Sequence, residues 1–152
     1  MDIGSGHGYP ASALSNFAPH PFLMDEVRIA SMEGFLQSLK FDKPDMQEYV
    51  CTLFGRAAKF KGKHKEWWKS GKLYWRGQEI DRFGVEYQNL LDRAYDAMAA
   101  QSDSFRRALL ASGNSTLTHN IGKNDERRTI LTVAEFVRRL NRIRAKLFEE
   151  TR

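Results

Sequence analysis

The sequence lacks the features that mark secreted and membrane proteins. Cys51 is its only cysteine, so no internal disulfide can form, and a reducing, cytoplasmic setting is expected. The first ten residues, MDIGSGHGYP, contain neither a basic region nor an apolar run, so they do not resemble a secretory signal. No stretch approaches the roughly 20 apolar residues needed to cross a bilayer, so no membrane contact is expected.

Metal-binding patterns are also lacking. The four histidines, at positions 7, 20, 64 and 119, show no ligand spacing, and a single cysteine cannot complete a structural zinc site. The segment GSGHG at residues 4–8 is similar to a phosphate-binding loop, but no strand and helix frame it as nucleotide motifs require. We therefore expect neither a metal nor a cofactor.

What is present is typical of one globular domain spanning residues 1–152. The chain is 41% hydrophobic and 12% aromatic, and its length is sufficient for a core without covalent staples. The net charge of +5 favours a polyanionic partner: nucleic acid, a phosphorylated metabolite or a dinucleotide. Part of that charge lies in RRLNRIRAK, residues 138–146, which a solvated helix face would also explain.

The hydrophobic periodicity predicts a mostly α (α+β) fold with one or two short hairpins. Residues 1–12 are Gly-rich and are read as loose or as folded over a ligand. Hairpins are expected around Asp25-Glu26 and around Gly77. Helices are expected from Ser31 through Lys40, from Pro44 through Gly55 to Gly62, from Asp81, from Asp103, and over 132–150 behind a Thr132–Glu135 capping box.

One polar stripe interrupts the apolar pattern of the first predicted helix. At 100° per residue, Glu33, Gln37 and Lys40 share one face beside the buried side chains. A solvated stripe is the ordinary explanation. Its neighbours favour a pocket for a sugar phosphate joined to a flat base: Asn16 precedes it, and Arg56, Lys59, Trp67 and Trp68 follow it.

These residue types suit cleavage of a bond between ribose C1 and nitrogen. A carboxylate beside the sugar stabilises an oxocarbenium-like state or moves a proton. Alternatively, a lysine with a lowered pKa attacks the sugar carbon and forms a Schiff base with the opened ring. Glu33 is the candidate for the first role and Lys40 for the second.

Five segments in order carry a family resemblance: LSNFAPHPF, SMEGFLQSLKF, GRAAKFKG, a tryptophan, and FRRALLASGNSTL. Together they resemble the NADAR, or YbiA-like, domain from about Tyr9 to the C-terminal helix. The resemblance implies a compact helix-rich fold and hydrolysis of N-glycosidic bonds. Members related to ADP-ribosyltransferase toxin systems remove ADP-ribose from guanine in nucleic acid, and others are linked to a phosphoribosylated intermediate of riboflavin synthesis.

The resemblance also implies site residues. Ser15, Asn16 and Phe17 match its S-N-F element, Glu33, Gln37 and Lys40 its E-x-x-x-Q-x-x-K element, and Arg56 and Lys59 the next segment. Each has a plainer alternative. Asn16 could cap a turn, Phe17 could be core, Arg56 and Lys59 could be solvated, and one of Trp67 and Trp68 is expected in the core.

The chain departs from the family pattern after residue 117. Many members carry a W-G-x-G stretch there, but this chain reads LTHNIGKNDERRTILT and has no tryptophan. Candidates to line the pocket instead are His119, Asn120, Lys123 and Asp125, or the pocket is open there. The chain is interpreted as a divergent, phage-like branch.

Three functions follow as hypotheses. The first is an ADP-ribosyl glycohydrolase acting on guanine in DNA or RNA, with an ADP-ribosyltransferase toxin as its counterpart. The second is an N-glycosidase for a phosphoribosylamino-pyrimidine. The third is a non-catalytic sensor that binds ADP-ribose, NAD or a related nucleotide.

Overall fold

The computed structural model describes residues 1–151, and within them the mostly helical fold with two hairpins is confirmed. The helices and strands follow in the order α1 (Ala11–Leu14), β1 (Phe22–Met24), β2 (Val27–Ile29), α2 (Met32–Ser38), α3 (Pro44–Cys51), α4 (Gly55–Gly62), a 3₁₀ turn (Trp67–Lys69), β3 (Lys72–Trp75), β4 (Gln78–Asp81), α5 (Val85–Gln101), α6 (Asp103–Ala111) and α7 (Val133–Glu150). Strand β1 pairs antiparallel with β2, and β3 pairs antiparallel with β4.

Both hairpins close through residues with positive φ. Asp25 and Glu26 have φ values of 51° and 66°, which two-residue hairpin loops require and which non-glycine residues seldom adopt. Asp25 is held in place because its carboxylate accepts hydrogen bonds from Trp75 Nε1 at 2.8 Å and from both terminal nitrogens of Arg93. The turn therefore fastens the first hairpin to the second hairpin and to α5.

The first residues of three helices were predicted correctly, because a capping residue or a proline marks each of them. Ser31 Oγ accepts the Gly34 amide at 3.0 Å, Pro44 is the first residue of α3, and Thr132 and Glu135 form the full capping box.

Three helix boundaries differ from the prediction. Helix α2 ends at Ser38, so Lys40 lies in the turn that follows it. The single helix predicted from Pro44 to Gly62 is two helices, because Gly55 takes a φ of +58° and the chain turns there. Asp81 belongs to β4, and α5 starts only at Val85.

The N-terminal segment is not loose at its start. The Ile3 amide donates to Thr118 O at 2.8 Å and the Thr118 amide donates to Met1 O at 2.9 Å, so the first residues pair with the segment that precedes α7. Ile3 is fully buried. The chain then forms α1, a short helix that the periodicity did not predict.

A buried polar network supports the core between α5 and α7. Arg82, fully buried, donates to both carboxylate oxygens of Glu135, at 3.1 and 2.8 Å, and to Thr129 O. The Tyr87 hydroxyl donates to Ile130 O. Because Thr129 and Ile130 precede α7, the network fixes the position of the segment leading into that helix.

Candidate functional site

A cavity of about 400 Å³ opens on one side of α2. Most of its wall comes from four parts of the chain: residues 15–17 after α1, the polar side of α2, residues 59–68 from α4 to the 3₁₀ turn, and residues 119–132 before α7. Ser5 of the N-terminal segment and Phe136 of α7 complete it. The cavity is within the size range of small-molecule sites. Eleven of the predicted site residues lie on its wall: Ser15, Asn16, Phe17, Glu33, Gln37, Lys40, Lys59, Trp67, Trp68, His119 and Lys123.

Helix α2 places Glu33 and Gln37 one turn apart on the cavity side. Gln37 Nε2 donates to Glu33 Oε1 at 2.9 Å, so the amide orients the carboxylate. Gln37 itself is buried against Gly62, where a Cβ atom would overlap its Oε1. Helix α4 can therefore approach α2 this closely only because residue 62 has no side chain.

Glu33 is a desolvated carboxyl group without a cation paired to it. Burial raises its pKa above 4.5, and the Gln37 hydrogen bond and the charges of Lys40 and Lys59 oppose that rise only in part. Among residues 1–151, Glu33 has no ion-pair partner within 4.0 Å. A carboxyl group whose pKa is raised keeps its proton to higher pH than an exposed glutamate does, which is the condition for a general acid.

Lys40 lines the same cavity, and its surroundings disfavour the protonated form of its amine. Burial lowers the pKa of its amine, and the attraction of Glu33 counteracts this. Its Nζ makes one long contact, 3.4 Å, to Gly62 O. The amine therefore lines the same cavity as Glu33 and influences its charge, but among residues 1–151 it forms no ion pair with it.

Asn16 is oriented by the core. The Tyr95 hydroxyl donates to Asn16 Oδ1 at 2.8 Å, and the Glu33 amide donates to Asn16 O at 3.0 Å. With Oδ1 occupied, the Asn16 amide nitrogen has no hydrogen-bond acceptor among the described residues and lines the cavity. It is a free donor suited to a sugar hydroxyl or a phosphate.

The two tryptophans divide their roles as predicted, since Trp67 is 7% exposed and part of the core while Trp68 is 52% exposed. Both line the cavity. Phe17 is half-buried and also lines the cavity. The cavity thus offers flat apolar surfaces on which a base can stack.

The cavity wall is strongly cationic. Glu33 is its only carboxylate among the described residues, whereas six cations line it: Lys40, Lys59, Lys63, Lys65, Lys123 and Arg128. Clustered cations around a concave surface raise the local concentration of anionic ligands. The wall therefore suits a ligand with more than one phosphate.

His119 presents a defined tautomer. Its Nδ1 lies 2.8 Å from Ile3 O, which can only accept, so Nδ1 carries the proton and Nε2 of the neutral ring has a free lone pair. The ring packs edge-on against Phe136 at 5.3 Å between centroids. The paired N-terminal segment therefore orients a cavity side chain.

Three predicted residues lie outside this cavity. Arg56, at the start of α4, is exposed; it was expected late in a longer helix, and the break at Gly55 moves it away. Asn120 lines a second, more open hollow beside α7. Asp125 pairs with Arg127 and Arg128.

Sequence reasoning missed several supporting residues. Lys63 and Lys65 lie in GKHK at residues 62–65 and line the cavity. Their alternation in the sequence is a signal that could have identified them. Tyr95 was expected only to pack in the core, and Gly62 only to end a helix. Their roles depend on contacts across 79 and 25 residues, to Asn16 and Gln37, which no local pattern reveals.

Among residues 1–151, no three His, Cys, Asp or Glu side chains are grouped so that they could hold a metal ion. No helix in that range has the length and apolar character needed to cross a membrane.

Comparisons with known proteins show both the family and the fold. The model of the family described as bacteriophage protein GP30.3 matches residues 8–145. An uncharacterized 17.1 kDa protein in the Gp30–rIII intergenic region of Enterobacteria phage T4 is 38% identical over 152 residues, which cover 97% of this chain and 98% of that protein. The NMR structure of the E. coli protein YbiA has a TM-score of 0.64 at 16% identity and covers 99% of this chain and 86% of that one. The matches confirm the resemblance that the motifs indicated.

Proposed function

Since the chain belongs to the bacteriophage GP30.3 family, a divergent phage branch with the NADAR-type fold of YbiA, we propose that it hydrolyses an N-glycosidic bond. The proposed substrate is ADP-ribose attached to guanine in nucleic acid. One observation carries this proposal. Glu33, desolvated and without an ion-pair partner among residues 1–151, shares a cationic cavity with Lys40 and Asn16.

The proposed reaction exchanges one bond at ribose C1 for another. As the bond from C1 to the guanine nitrogen breaks, its electron pair stays on the nitrogen, and C1 acquires oxocarbenium character that the Glu33 carboxylate stabilises. A water molecule forms the new bond to C1 and passes a proton to Glu33. The same proton then neutralises the departing nitrogen, so Glu33 ends the cycle as it began.

Lys40 supports a second route to the same products. Its lowered pKa increases the fraction of neutral amine. After the C1–ring oxygen bond opens to leave C1 doubly bonded to the guanine nitrogen, this amine adds to C1, and the guanine nitrogen takes up a proton and leaves as the free amino group, so that C1 is held as a Schiff base on Lys40. Water then hydrolyses the imine and restores the amine. Borohydride reduction during turnover separates the routes, because only the second one leaves the ribosyl group covalently attached to Lys40.

The remaining wall fits the rest of an ADP-ribosyl group. Lys59, Lys63 and Lys65 supply charge for the diphosphate, and Trp68 supplies a ring face for the adenine. A single phosphoribosyl group would leave most of these cations unused. This abundance of charge favours ADP-ribose over the phosphoribosylamino-pyrimidine.

The direct test is incubation of the purified protein with an oligonucleotide ADP-ribosylated on guanine, with free ADP-ribose measured over time. We expect release of ADP-ribose and regeneration of the unmodified strand. A folded protein that cleaves only the phosphoribosylamino-pyrimidine would replace this substrate with the metabolic one. Tight calorimetric binding of ADP-ribose without turnover on either substrate would indicate a sensor. Because the proposed substrate requires an ADP-ribosyltransferase to make it, a toxin of that class is the expected counterpart.

A further inference from the structure

The surface next to the cavity carries several cations that have no acidic partner. Residues 55–65, GRAAKFKGKHK, contain five cations and no carboxylate. In the part of the chain that the structure describes, these five form no ion pair within 4.0 Å: Arg56, Lys59, Lys61, Lys63 and Lys65. The arginines of α5, α6 and α7 differ, since many pair with acids, for example Arg142 with Asp96 and Arg107 with Asp103.

Aromatic rings lie among these lysines. Phe60 is 58% exposed and Trp68 is 52% exposed, so each shows half its surface or more to solvent. Lys63 Nζ is 5.5 Å from the centre of the Phe60 ring, and Lys65 Nζ is 5.1 Å from that of Phe41. Interleaved cations and exposed rings are the combination with which proteins bind single-stranded nucleic acid, the cations contacting phosphates and the rings stacking on bases.

The surface is continuous with the cavity. Lys59, Lys63, Lys65 and Trp68 belong to both, whereas Phe60 and Lys61 lie on α4 outside the cavity wall. Helix α4 is roughly 12 Å long, enough for a few nucleotides. A strand lying along α4 would therefore reach the cavity edge at the tryptophans.

We propose that α4 and the residues up to Trp68 form a binding surface for single-stranded nucleic acid that presents a modified nucleotide to the cavity. This inference rests on the proposed function, because it supplies the rest of the substrate for the same site. A paired duplex hides the faces of its bases from Phe60 and Trp68, and an acidic peptide has no bases to stack. An unpaired strand offers phosphates to the cations and base faces to the rings.

The test measures fluorescence anisotropy of a labelled, unmodified oligonucleotide of roughly 12 nucleotides, within the range of single-strand sites. The same sequence as a duplex and a polyglutamate peptide are the comparison ligands. We expect the single strand to bind at least tenfold more tightly than either, and more weakly as salt rises. Equal affinity for duplex, or for polyglutamate, would overturn the proposal.

Variants separate stacking from charge. Phe60→Ala should weaken strand binding about tenfold with an unchanged salt dependence, whereas Lys61→Gln should reduce the salt dependence. Leu23→Ala on β1 and Lys146→Gln on α7 are the controls, since both residues are exposed and outside the cavity wall, and they should bind as the unaltered protein does. Full binding by Phe60→Ala would overturn the stacking role and with it the proposal.

The two proposals can fail separately. Strand binding without release of ADP-ribose from any substrate would contradict the proposed function and leave the surface intact. Release of ADP-ribose from a modified guanosine nucleotide without measurable strand binding would do the reverse.

Discussion

Two glutamates in the first turns of two helices have opposite electrostatic character. Glu33 opens α2 and accepts a hydrogen bond from Gln37 at 2.9 Å, and Glu135 opens α7 and accepts one from Gln88 at 2.6 Å. Burial alone would raise the pKa of both. At Glu135 the hydrogen bonds from Arg82, the Thr132 amide and Gln88 outweigh burial, so its pKa is lowered, whereas at Glu33 burial prevails and the pKa is raised.

The two carboxylates differ in whether a buried cation neutralises them. A buried carboxylate bound to Arg82 helps the fold and has no capacity left for other chemistry. A desolvated carboxylate without such a partner does not help the fold, and its position at a cavity agrees with the chemical role that we propose for Glu33. The following experiments test that contrast.

The largest effect is expected on catalysis at Glu33. Glu33→Gln keeps the size and the hydrogen bond to Gln37 but cannot exchange a proton. Release of ADP-ribose should fall by roughly 100- to 10,000-fold. Glu86→Gln, an exposed change in the first turn of α5, serves as the control. Near-normal release by Glu33→Gln would remove Glu33 from the mechanism.

The next largest effect is expected on stability at Glu135. Glu135→Gln leaves the buried Arg82 guanidinium without its counter-charge, so the free energy of unfolding at pH 7 should fall by about 3–5 kcal/mol. Denaturant unfolding beside Glu86→Gln measures it. The pKa of Glu135 is lowered in the folded state, so its stabilisation is present above pH 4.5 and is lost as the pH falls below that value. A loss that does not shrink in acid would show that the ion pair is not its cause.

An intermediate effect is expected at Gly62. In Gly62→Ala the new methyl group displaces Gln37, and Glu33 loses the amide that orients it. A shift on the scale of 1 Å should cost about 100-fold in turnover. The matched control is Gly84→Ala, where a Cβ would meet its nearest atoms at 3.5 Å and φ is −98°. Equal turnover in the two variants would mean that Gln37 does not position Glu33.

A smaller effect is expected from the hydroxyl of Tyr95. Tyr95→Phe removes the bond to Asn16 Oδ1, so the free energy of unfolding should fall by about 1 kcal/mol. The Asn16 amide is then free to turn, and KM should rise more than kcat falls. Tyr49→Phe, at an exposed tyrosine, controls for loss of a hydroxyl. If only stability changes, Asn16 makes no contact with the substrate.

The smallest effect is the pH dependence of stability at Glu33, and its sign is opposite to that at Glu135. Because the folded-state pKa of Glu33 is raised, ionisation destabilises the fold as the pH rises above 4.5. Glu33→Gln should therefore be more stable than the unaltered protein at pH 7, and the difference should disappear below pH 4.5. Thermal unfolding at several pH values measures this. A less stable Glu33→Gln at pH 7 would contradict the contrast between the two glutamates.

The sequence predicted elements where a local signal sets them. Ser31, Pro44 and the Thr132–Glu135 box mark helix starts through bonds made within one turn. The break at Gly55 was missed, because a glycine within a helical pattern reads alike whether it continues the helix or takes positive φ. Glu33, Gln37 and Lys40 were proposed together from their helical spacing, their neighbours in the sequence and the family resemblance, whereas Arg56 was wrongly expected late in the helix that ends at Gly62.

By itself the sequence determined the fold class, the family motifs and the polar stripe of α2, since periodicity and spacing are properties of neighbouring residues. Only the tertiary structure decided which charges are paired. Whether a glutamate meets an arginine from 53 residues away or an empty cavity depends on packing across the chain. That pairing sets the balance between desolvation and charge, so the pKa of Glu135 is lowered, whereas the pKa of Glu33, which has no ion-pair partner among residues 1–151, is raised.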